Sequence, residues 1–187
     1  IQSLADLKGK KVRAPVSHST LAPNIAILQF LGAEPTAVLY EGGAASCLAA
    51  MRGDVDLVIQ VGATVLRQSE ASGGKLVPKV VFGGKRISTA PNLPSSKELG
   101  VDFPEKLAPF LSYDYFFAAP YGLREDVFRI LTEAIDKTLR DPGFVETLEK
   151  AKLPVSLMSS QEVQKLMSDL INAVPQYIEA ARRVLGQ

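Results

Sequence analysis

The sequence predicts an α/β fold with a mostly parallel sheet. Short β-branched runs alternate with helical patterns through the first half of the chain, and this order is typical of βα units. Everything beyond Pro120 has a helical pattern. With 187 residues, of which 47% are hydrophobic and 22% charged, the chain can bury a sizeable core and has the composition of a globular protein.

The first half supplies the strands and helices of the predicted sheet. Gly53 follows a helical run where a left-handed cap suits glycine, and Gly73 and Gly74 follow another. Strands are predicted over residues 11–15, 36–40, 55–60 and 76–82, and helices over 20–31, 44–52 and 63–71.

The second half begins with a predicted loop over residues 83–105, because prolines, serines and glycines interrupt any helical or strand periodicity there. At most one helical turn is predicted within it, over 96–99. A strand is predicted over 113–119. An amphipathic helix follows, with acidic residues in its first turn and basic ones in its last. Its apolar face comprises Val127, Ile130, Leu131, Ala134, Ile135 and Leu139.

Two further helices are predicted near the C-terminus. Asp141 before Pro142 is an N-cap residue followed by proline at the first helical position. Ser159 and Glu162 have the spacing of a capping box before the last helix. Pro175 should kink or split that helix near residues 172–174.

Charge and residue counts exclude several classes of partner. A formal net charge of +1 offers no basic surplus for a phosphate backbone, so nucleic acid is not expected as a partner. One cysteine, Cys47, and one histidine, His18, can form neither an internal disulfide nor a cluster of metal ligands, so no metal or cofactor is expected. The chain starts at Ile1 and contains neither a signal-peptide pattern nor a long apolar run.

The first candidate site is Ser17-His18-Ser19-Thr20, between a strand end and a helix start. Unpaired amides and the positive end of the helix dipole favour an anion at such a place, and the hydroxyls add donors. Pro23 has no N–H, so the amide donors would come from residues 19–22. The alternative is that Ser19 or Thr20 simply caps its own helix.

The second candidate site is the turn Gly42-Gly43-Ala44, where a strand again passes through glycines into a helix. Backbone amides could approach a small acid closely there. Two such turns at neighbouring strand ends would converge on one crevice, as ligand sites of open α/β sheets do. The turn matches neither a P-loop nor the dinucleotide fingerprint.

Two further features are weaker candidates for a functional role. Tyr113 or Tyr115 could lend a hydroxyl or a ring to a ligand, although core packing is the more usual role of such a stripe. Cys47 lies in a small apolar helix, which favours a buried residue over a nucleophile assisted by His18. No catalytic residue is therefore assigned.

Several segments, in order, resemble the substrate-binding receptors of tripartite tricarboxylate transporters, the TctC or Bug family. The similar stretches are residues 3–12 (SLADLKGKKV), 40–57 (YEGGAASCLAAMRGDVDL), 74–76 (GKL), Lys85-Arg86, 90–100 (APNLPSSKELG) and 115–120 (YFFAAP). The Asp141-Pro142 helix also resembles the family's tail. The resemblance is to the C-terminal part of a receptor.

The resemblance implies a type II periplasmic binding protein-like α/β fold, with one complete βα lobe and the C-terminal helical part of a second lobe. Residues 1–114 would form lobe two, and 115–187 the crossing strand and C-terminal helices of lobe one, whose N-terminal part is absent. It further implies a periplasmic solute-binding protein, not an enzyme, that captures a small carboxylate and delivers it to membrane transporter subunits.

The family's ligand site can be carried over by position. Ser17, His18, Ser19 and Thr20 stand where the family has a donor-rich loop, while Gly42, Gly43 and Ala44 match its Gly-Gly turn. Gln60, Gly62 and Ala63 occupy a loop that faces the ligand cleft. Glu41 stands where Lys is usual, Pro23 where Gly is common, and the first loop lacks glycines, which argues against an ordinary dicarboxylate ligand.

A ligand-sensing effector or protein-interaction domain of the same fold is the alternative function. It would pass a signal to a partner domain instead of a transporter. An enzyme that uses His18 and Cys47 is a third hypothesis, and it predicts turnover that depends on the Cys47 thiol.

Overall fold

The computed structural model describes residues 2–17, 19–111, 115–153, 155 and 157–185 and shows a mixed α/β fold. Strands β1 (Lys11–Val16) and β2 (Glu34–Leu39) form a small parallel sheet. The helices in the described residues are α1 (Leu21–Phe30), α2 (Gly42–Arg52), α3 (Gly62–Ala71), α4 (Glu125–Arg140), α5 (Pro142–Lys150) and α6 (Ser160–Leu185), with 3-10 turns at Leu4–Leu7 and Glu105–Phe110. The predicted fold class is confirmed at this level.

The β1-α1-β2 unit holds the first core. The strands pair from Lys11 opposite Glu34 to Val16 opposite Leu39. Helix α1 is apolar on nearly all sides, as expected for a helix that is surrounded by protein. The core residues here are Leu7, Val12, Ala14, Leu28 and Ala33.

A second core joins α1 to the C-terminal helix. Ala26 of α1 and Ala173 of α6 pack with Leu107 and Phe110 of the 3-10 turn between them. Phe103 stacks near Phe30 with ring centroids 4.9 Å apart, which extends the apolar contact. Helix α6 therefore anchors the end of the chain on α1.

The predicted strands over 55–60 and 76–82 are wrong, and the described part of the predicted strand 113–119, residues 115–119, is not a strand either. Residues 55–60 lie beside β1, where the Asp56 amide donates to the Arg13 carbonyl at 3.0 Å. The Arg13 amide, however, donates to the Asp56 carboxylate at 2.7 Å. A side chain thus takes the backbone donor that a third strand would use. Residues 76–82 contribute one isolated bridge, from Val81 to Ser95.

The predicted helix signals are mostly confirmed. Gly53 adopts the left-handed conformation with φ of 79° at the end of α2. The Asp141 side chain accepts from the Phe144 amide at 2.9 Å, and the Ser159 hydroxyl accepts from the Glu162 amide at 3.2 Å. Of the kink or split predicted near residues 172–174, the split is wrong, because α6 continues through Pro175, and the kink stays a prediction. Pro175 and Ile171 are exposed, so water can satisfy the carbonyl that Pro175 leaves unpaired.

Helices α4 and α5 differ from the rest of the fold. The amphipathic helix at Glu125–Arg140 is confirmed, but neither α4 nor α5 contains a buried residue, and Ile130 is 61% exposed. They pack against each other. A large apolar cavity of about 1740 Å³ opens beside them. Among the described residues, none of the helices is long and apolar enough to cross a membrane.

Candidate functional site

Three loops meet near the C-terminal edge of the small sheet. Residues 17–20 follow β1, residues 40–44 follow β2, and residues 60–63 follow the segment that lies beside β1. The Tyr40 amide donates to the Val16 carbonyl at 2.9 Å, which joins the first two loops at their bases. The buried Asn24 side chain donates from Nδ2 to the Ile59 carbonyl at 3.1 Å and so fixes the third loop to α1.

The hydroxyl groups of the first loop lie within hydrogen-bond distance of one another. The Ser17 amide donates to Thr20 Oγ1 at 2.8 Å, and Ser17 Oγ lies 3.1 Å from both Ser19 Oγ and Thr20 Oγ1. Thr20 is buried at the N-cap position of α1, but its side chain makes no capping hydrogen bond. The hydroxyl turns back into the loop instead, so the simple capping role is not what Thr20 performs. His18 lies outside the described residues.

The amides of this loop are partly used already. The Thr20 and Leu21 amides both donate to the Ser17 carbonyl, at 3.1 Å and 2.9 Å. Two of the four amides predicted as anion donors are therefore engaged within the loop. Ser19 is exposed and Ser17 is half-buried, and their hydroxyls lie within hydrogen-bond distance of each other at 3.1 Å.

The second and third loops are in direct contact through Gly43. A Cβ on Gly43 would lie 2.9 Å from Gln60 Oε1 and 3.1 Å from Thr64 Cγ2, both closer than ordinary packing allows. Gly42 has φ of 84°, which also favours glycine. The glycine pair therefore permits the first turns of α2 and α3 to approach each other.

The first turn of α3 lies next to the contact between Gly43 and Gln60. The Thr64 and Val65 amides both donate to the Val61 carbonyl, at 2.9 Å and 3.1 Å, whereas the Gly62 and Ala63 amides of the first turn donate to no described residue. Gly62 is half-buried, and a Cβ there would lie 3.2 Å from Ile87 Cδ1. The loop that contains Ile87 thus covers one side of the helix start, and Ala63 is buried behind it.

The electrostatics of the site come from helix ends and one carboxylate. Each α-helix N-terminus carries a partial positive charge and amides without an intrahelical partner. Glu41 is the N-cap residue of α2, is exposed, and makes no capping hydrogen bond from its side chain. Its negative charge therefore lies at the start of α2 without an ion pair to another described residue.

The described residues give little support to catalytic chemistry. Cys47 is fully buried, and burial raises the pKa of its thiol, which disfavours the thiolate that a nucleophile requires. The described residues contain no group of three or more histidine, cysteine, aspartate or glutamate side chains that could hold a metal.

Some site residues differ from the sequence-based candidates. Tyr115 is 84% exposed and lines the large cavity, while Tyr113 lies outside the described residues. The sequence did not predict a role for Asn24, which fixes the third loop to α1, or for Thr64, whose methyl group lies against Gly43. Asn24 could have been noticed as a polar residue in an otherwise apolar helix.

Comparison with known proteins identifies the family. The family model described as "Tripartite tricarboxylate transporter family receptor", TctC, matches residues 16–182. No curated protein and no solved structure matches the chain. Receptors of this family are periplasmic solute-binding proteins for tripartite transporters and are not enzymes. Since the match extends over most of the sequence, the chain belongs to the tripartite tricarboxylate transporter receptor family.

Proposed function

We propose that this chain is a solute-binding receptor, or part of one, that captures a small carboxylate-bearing metabolite and delivers it to the membrane subunits of a tripartite transporter. The observation that carries the proposal is the contact of Gly43 with Gln60 and Thr64, which brings the first turns of α2 and α3 together. The ligand site comprises residues of all three loops, namely Ser17, His18, Ser19, Thr20, Gly42, Gly43, Ala44, Gln60, Gly62 and Ala63.

Two adjacent helix starts suit a carboxylate. Helices α2 and α3 have 11 and 10 residues, long enough for each to have a developed dipole. Amides from two first turns can donate to the two oxygens of one carboxylate. The Gln60 amide group and the Ser17 and Ser19 hydroxyls supply neutral donors around it. Binding in this way needs no basic patch, in keeping with the net charge of +1.

Glu41 limits the kind of ligand. Its exposed carboxylate lies at the start of α2 and repels a second negative charge placed nearby. We therefore propose that the ligand presents a single carboxylate to this site. An ordinary dicarboxylate would lose affinity at the same position.

The proposed domain division is residues 1–114 as one lobe and 115–187 as the crossing strand and C-terminal helices of the other. The mutual packing of α4 and α5, without a buried residue in either, supports a separate C-terminal part. Helix α6 connects the two parts by packing on α1 and on the 3-10 turn at Glu105–Phe110. Ligand capture would close the lobes around the crossing segment.

The test is titration calorimetry of the chain with acetate, benzoate, glutamate, succinate and citrate. Gly43→Val should weaken binding of the best ligand at least tenfold, about 1.4 kcal/mol, because the new side chain displaces Gln60 and separates the helix starts. Glu41→Gln should improve the binding of succinate relative to benzoate. Gly84→Val is the matched control, since a Cβ at Gly84 meets nothing within 4 Å.

Two results would overturn the proposal. One is that none of these acids binds the unmodified chain at millimolar concentration. The other is that Gly43→Val and Gly84→Val weaken binding equally, which would separate the ligand from the α2 and α3 contact. A ligand-sensing domain of the same fold would bind the acid equally well, but it would not bind the transporter's membrane subunits in a pull-down.

A further inference from the structure

We infer that Ile87 determines which acids reach the start of α3. It admits a carboxylate attached to an unbranched CH₂ group and excludes one attached to a branched carbon. Ile87 is not among the residues of the proposed ligand site, and it lies on the loop over residues 83–100 that covers one side of α3. The inference rests on the proposed function, because it concerns the specificity of the same site.

The Ile87 side chain fills the space beside Gly62. A Cβ on Gly62 would lie 3.2 Å from Ile87 Cδ1. Among the described residues, no atom beyond the chain neighbours of Gly62 and its own helix backbone comes within 4 Å of that position. Both residues are half-buried, and both line the large cavity together with Gln60 and Ala63. Ile87 is therefore the side chain that limits the room beside Gly62.

This room lies next to unused hydrogen-bond donors. The Gly62 and Ala63 amides, in the first turn of α3, donate to no described residue. A carboxylate that accepts from these amides carries its next carbon atom into the space that Ile87 borders. A CH₂ group at that position passes beside Ile87 Cδ1, whereas two or three methyl groups on the same carbon would meet it.

The loop that contains Ile87 is fixed by polar contacts of its own. Arg86 Nε donates to both carboxylate oxygens of Glu98, at 2.9 Å and 3.0 Å. The buried Ser96 hydroxyl lies 3.1 Å from the Gly83 amide, from which it accepts, and 3.2 Å from the Gly83 carbonyl, to which it donates. Because the backbone on either side of Ile87 is held in this way, the side chain cannot move aside together with its loop.

Valerate and pivalate are the probes that isolate this effect. The two acids have the same formula and one negative charge each, but valerate has an unbranched chain and pivalate has three methyl groups on the carbon next to the carboxylate. Repulsion from Glu41 is therefore the same for both acids. One misplaced methylene group in an apolar pocket changes relative binding by roughly 10- to 200-fold.

The experiment is titration calorimetry of the 187-residue chain with each of these two acids. We expect pivalate to bind at least about tenfold more weakly than valerate. Ile87→Ala should bring the two dissociation constants to within about threefold of each other, because it opens the space beside Gly62. Val101→Ala is the matched control and should leave the ratio unchanged, since Val101 is also half-buried but does not line the cavity.

A double variant tests the same space from the opposite side. Gly62→Ala in the Ile87→Ala background adds a methyl group close to the place that Ile87 Cδ1 has left. The preference for valerate should then return. Circular dichroism checks that every variant keeps the helical content of the unmodified chain.

Several results would overturn the inference and leave the proposed function intact. They are equal binding of the two acids by the unmodified chain, equal weakening of both acids in Ile87→Ala, the same change of ratio in Val101→Ala, and no return of the preference in the double variant. Binding of acetate but of neither C5 acid would have the same meaning. If no acid binds at all, the proposed function fails and the inference fails with it.

Discussion

Helices α1 and α4 show how differently two helices of one chain can be held. Helix α1 buries five consecutive residues, from Asn24 to Leu28, between the sheet and α6. Helix α4 is longer, with 16 residues, yet it buries none. Helix α1 is therefore fixed by its surroundings, whereas α4 depends on its own turns and on α5. The stability of the two regions should differ accordingly.

The ion pairs show the same contrast. In the N-terminal region Arg13 binds Asp56, 43 positions away, and Arg86 binds Glu98 across a loop. In the described C-terminal helices, pairs four residues apart on one helix predominate, as between Asp136 and Arg140, and Lys152 after α5 pairs with Glu70 of α3 at 3.2 Å. Pairs such as Arg13–Asp56 connect separate segments, whereas pairs four residues apart support only the helix that contains them.

The strongest test of this contrast is one substitution made in both helices. Ile25→Ala in α1 should lower the free energy of unfolding by about 3 kcal/mol, because Ile25 is fully buried and its removal leaves a cavity. Ile130→Ala in α4 should change it by less than about 1 kcal/mol, since Ile130 is 61% exposed and alanine favours helix.

Urea unfolding of both variants at low micromolar concentration gives the comparison. Similar losses in the two variants would mean that α4 is buried as deeply as α1, and the distinction between the regions would fail. A change in the slope of the transition for one variant alone would show that the compactness of one of its states had changed.

The helices were predictable from sequence because their signals are local. Gly53, Asp141 and the Ser159–Glu162 pair each act within a few residues, and all three form as predicted. The strands were less predictable, because a strand needs a partner elsewhere in the chain. Residues 55–60 have a strand-like pattern, but the Asp56 carboxylate takes the Arg13 amide. That contact between distant residues has no signature in either segment.

The candidate site was predictable to a similar degree. Sequence placed the glycine turn at Gly42-Gly43 and the start of α3 near Ala63, and both elements form close to there. It could not show that Gly43 touches Gln60 and Thr64, because that contact depends on how two helices cross. It also could not show that the Thr20 hydroxyl turns back towards Ser17 instead of capping α1. Whether a ligand binds there stays a prediction.

A smaller effect is expected at the cap of α5. Asp141→Ala should destabilise this helix by about 1 kcal/mol, because the Phe144 amide loses its acceptor. No buried residue of α5 compensates, so the loss should appear as faster amide exchange over residues 144–148. Asp141→Asn should behave almost as the unmodified chain does, since asparagine caps equally well. Unchanged exchange in the alanine variant would show that tertiary packing holds α5.

The smallest effect concerns a surface ion pair of the N-terminal region. Hydrogen bonds from Arg86 and from the Ser95 amide lower the pKa of Glu98 from 4.5 to about 2. Because the folded-state pKa is depressed, the stabilising contribution of Glu98 is complete above pH about 4.5 and disappears as the pH falls towards about 2.

Arg86→Gln should raise the pKa of Glu98 back towards 4.5, and NMR titration of the Glu98 side-chain carbonyl carbon measures this. Lys97→Gln, which removes the 3.5 Å pair with Asp102 on the same loop, should leave the pKa of Glu98 low. If both variants raised it equally, the general charge of the loop, and not the bond from Arg86, would determine how this region responds to acid.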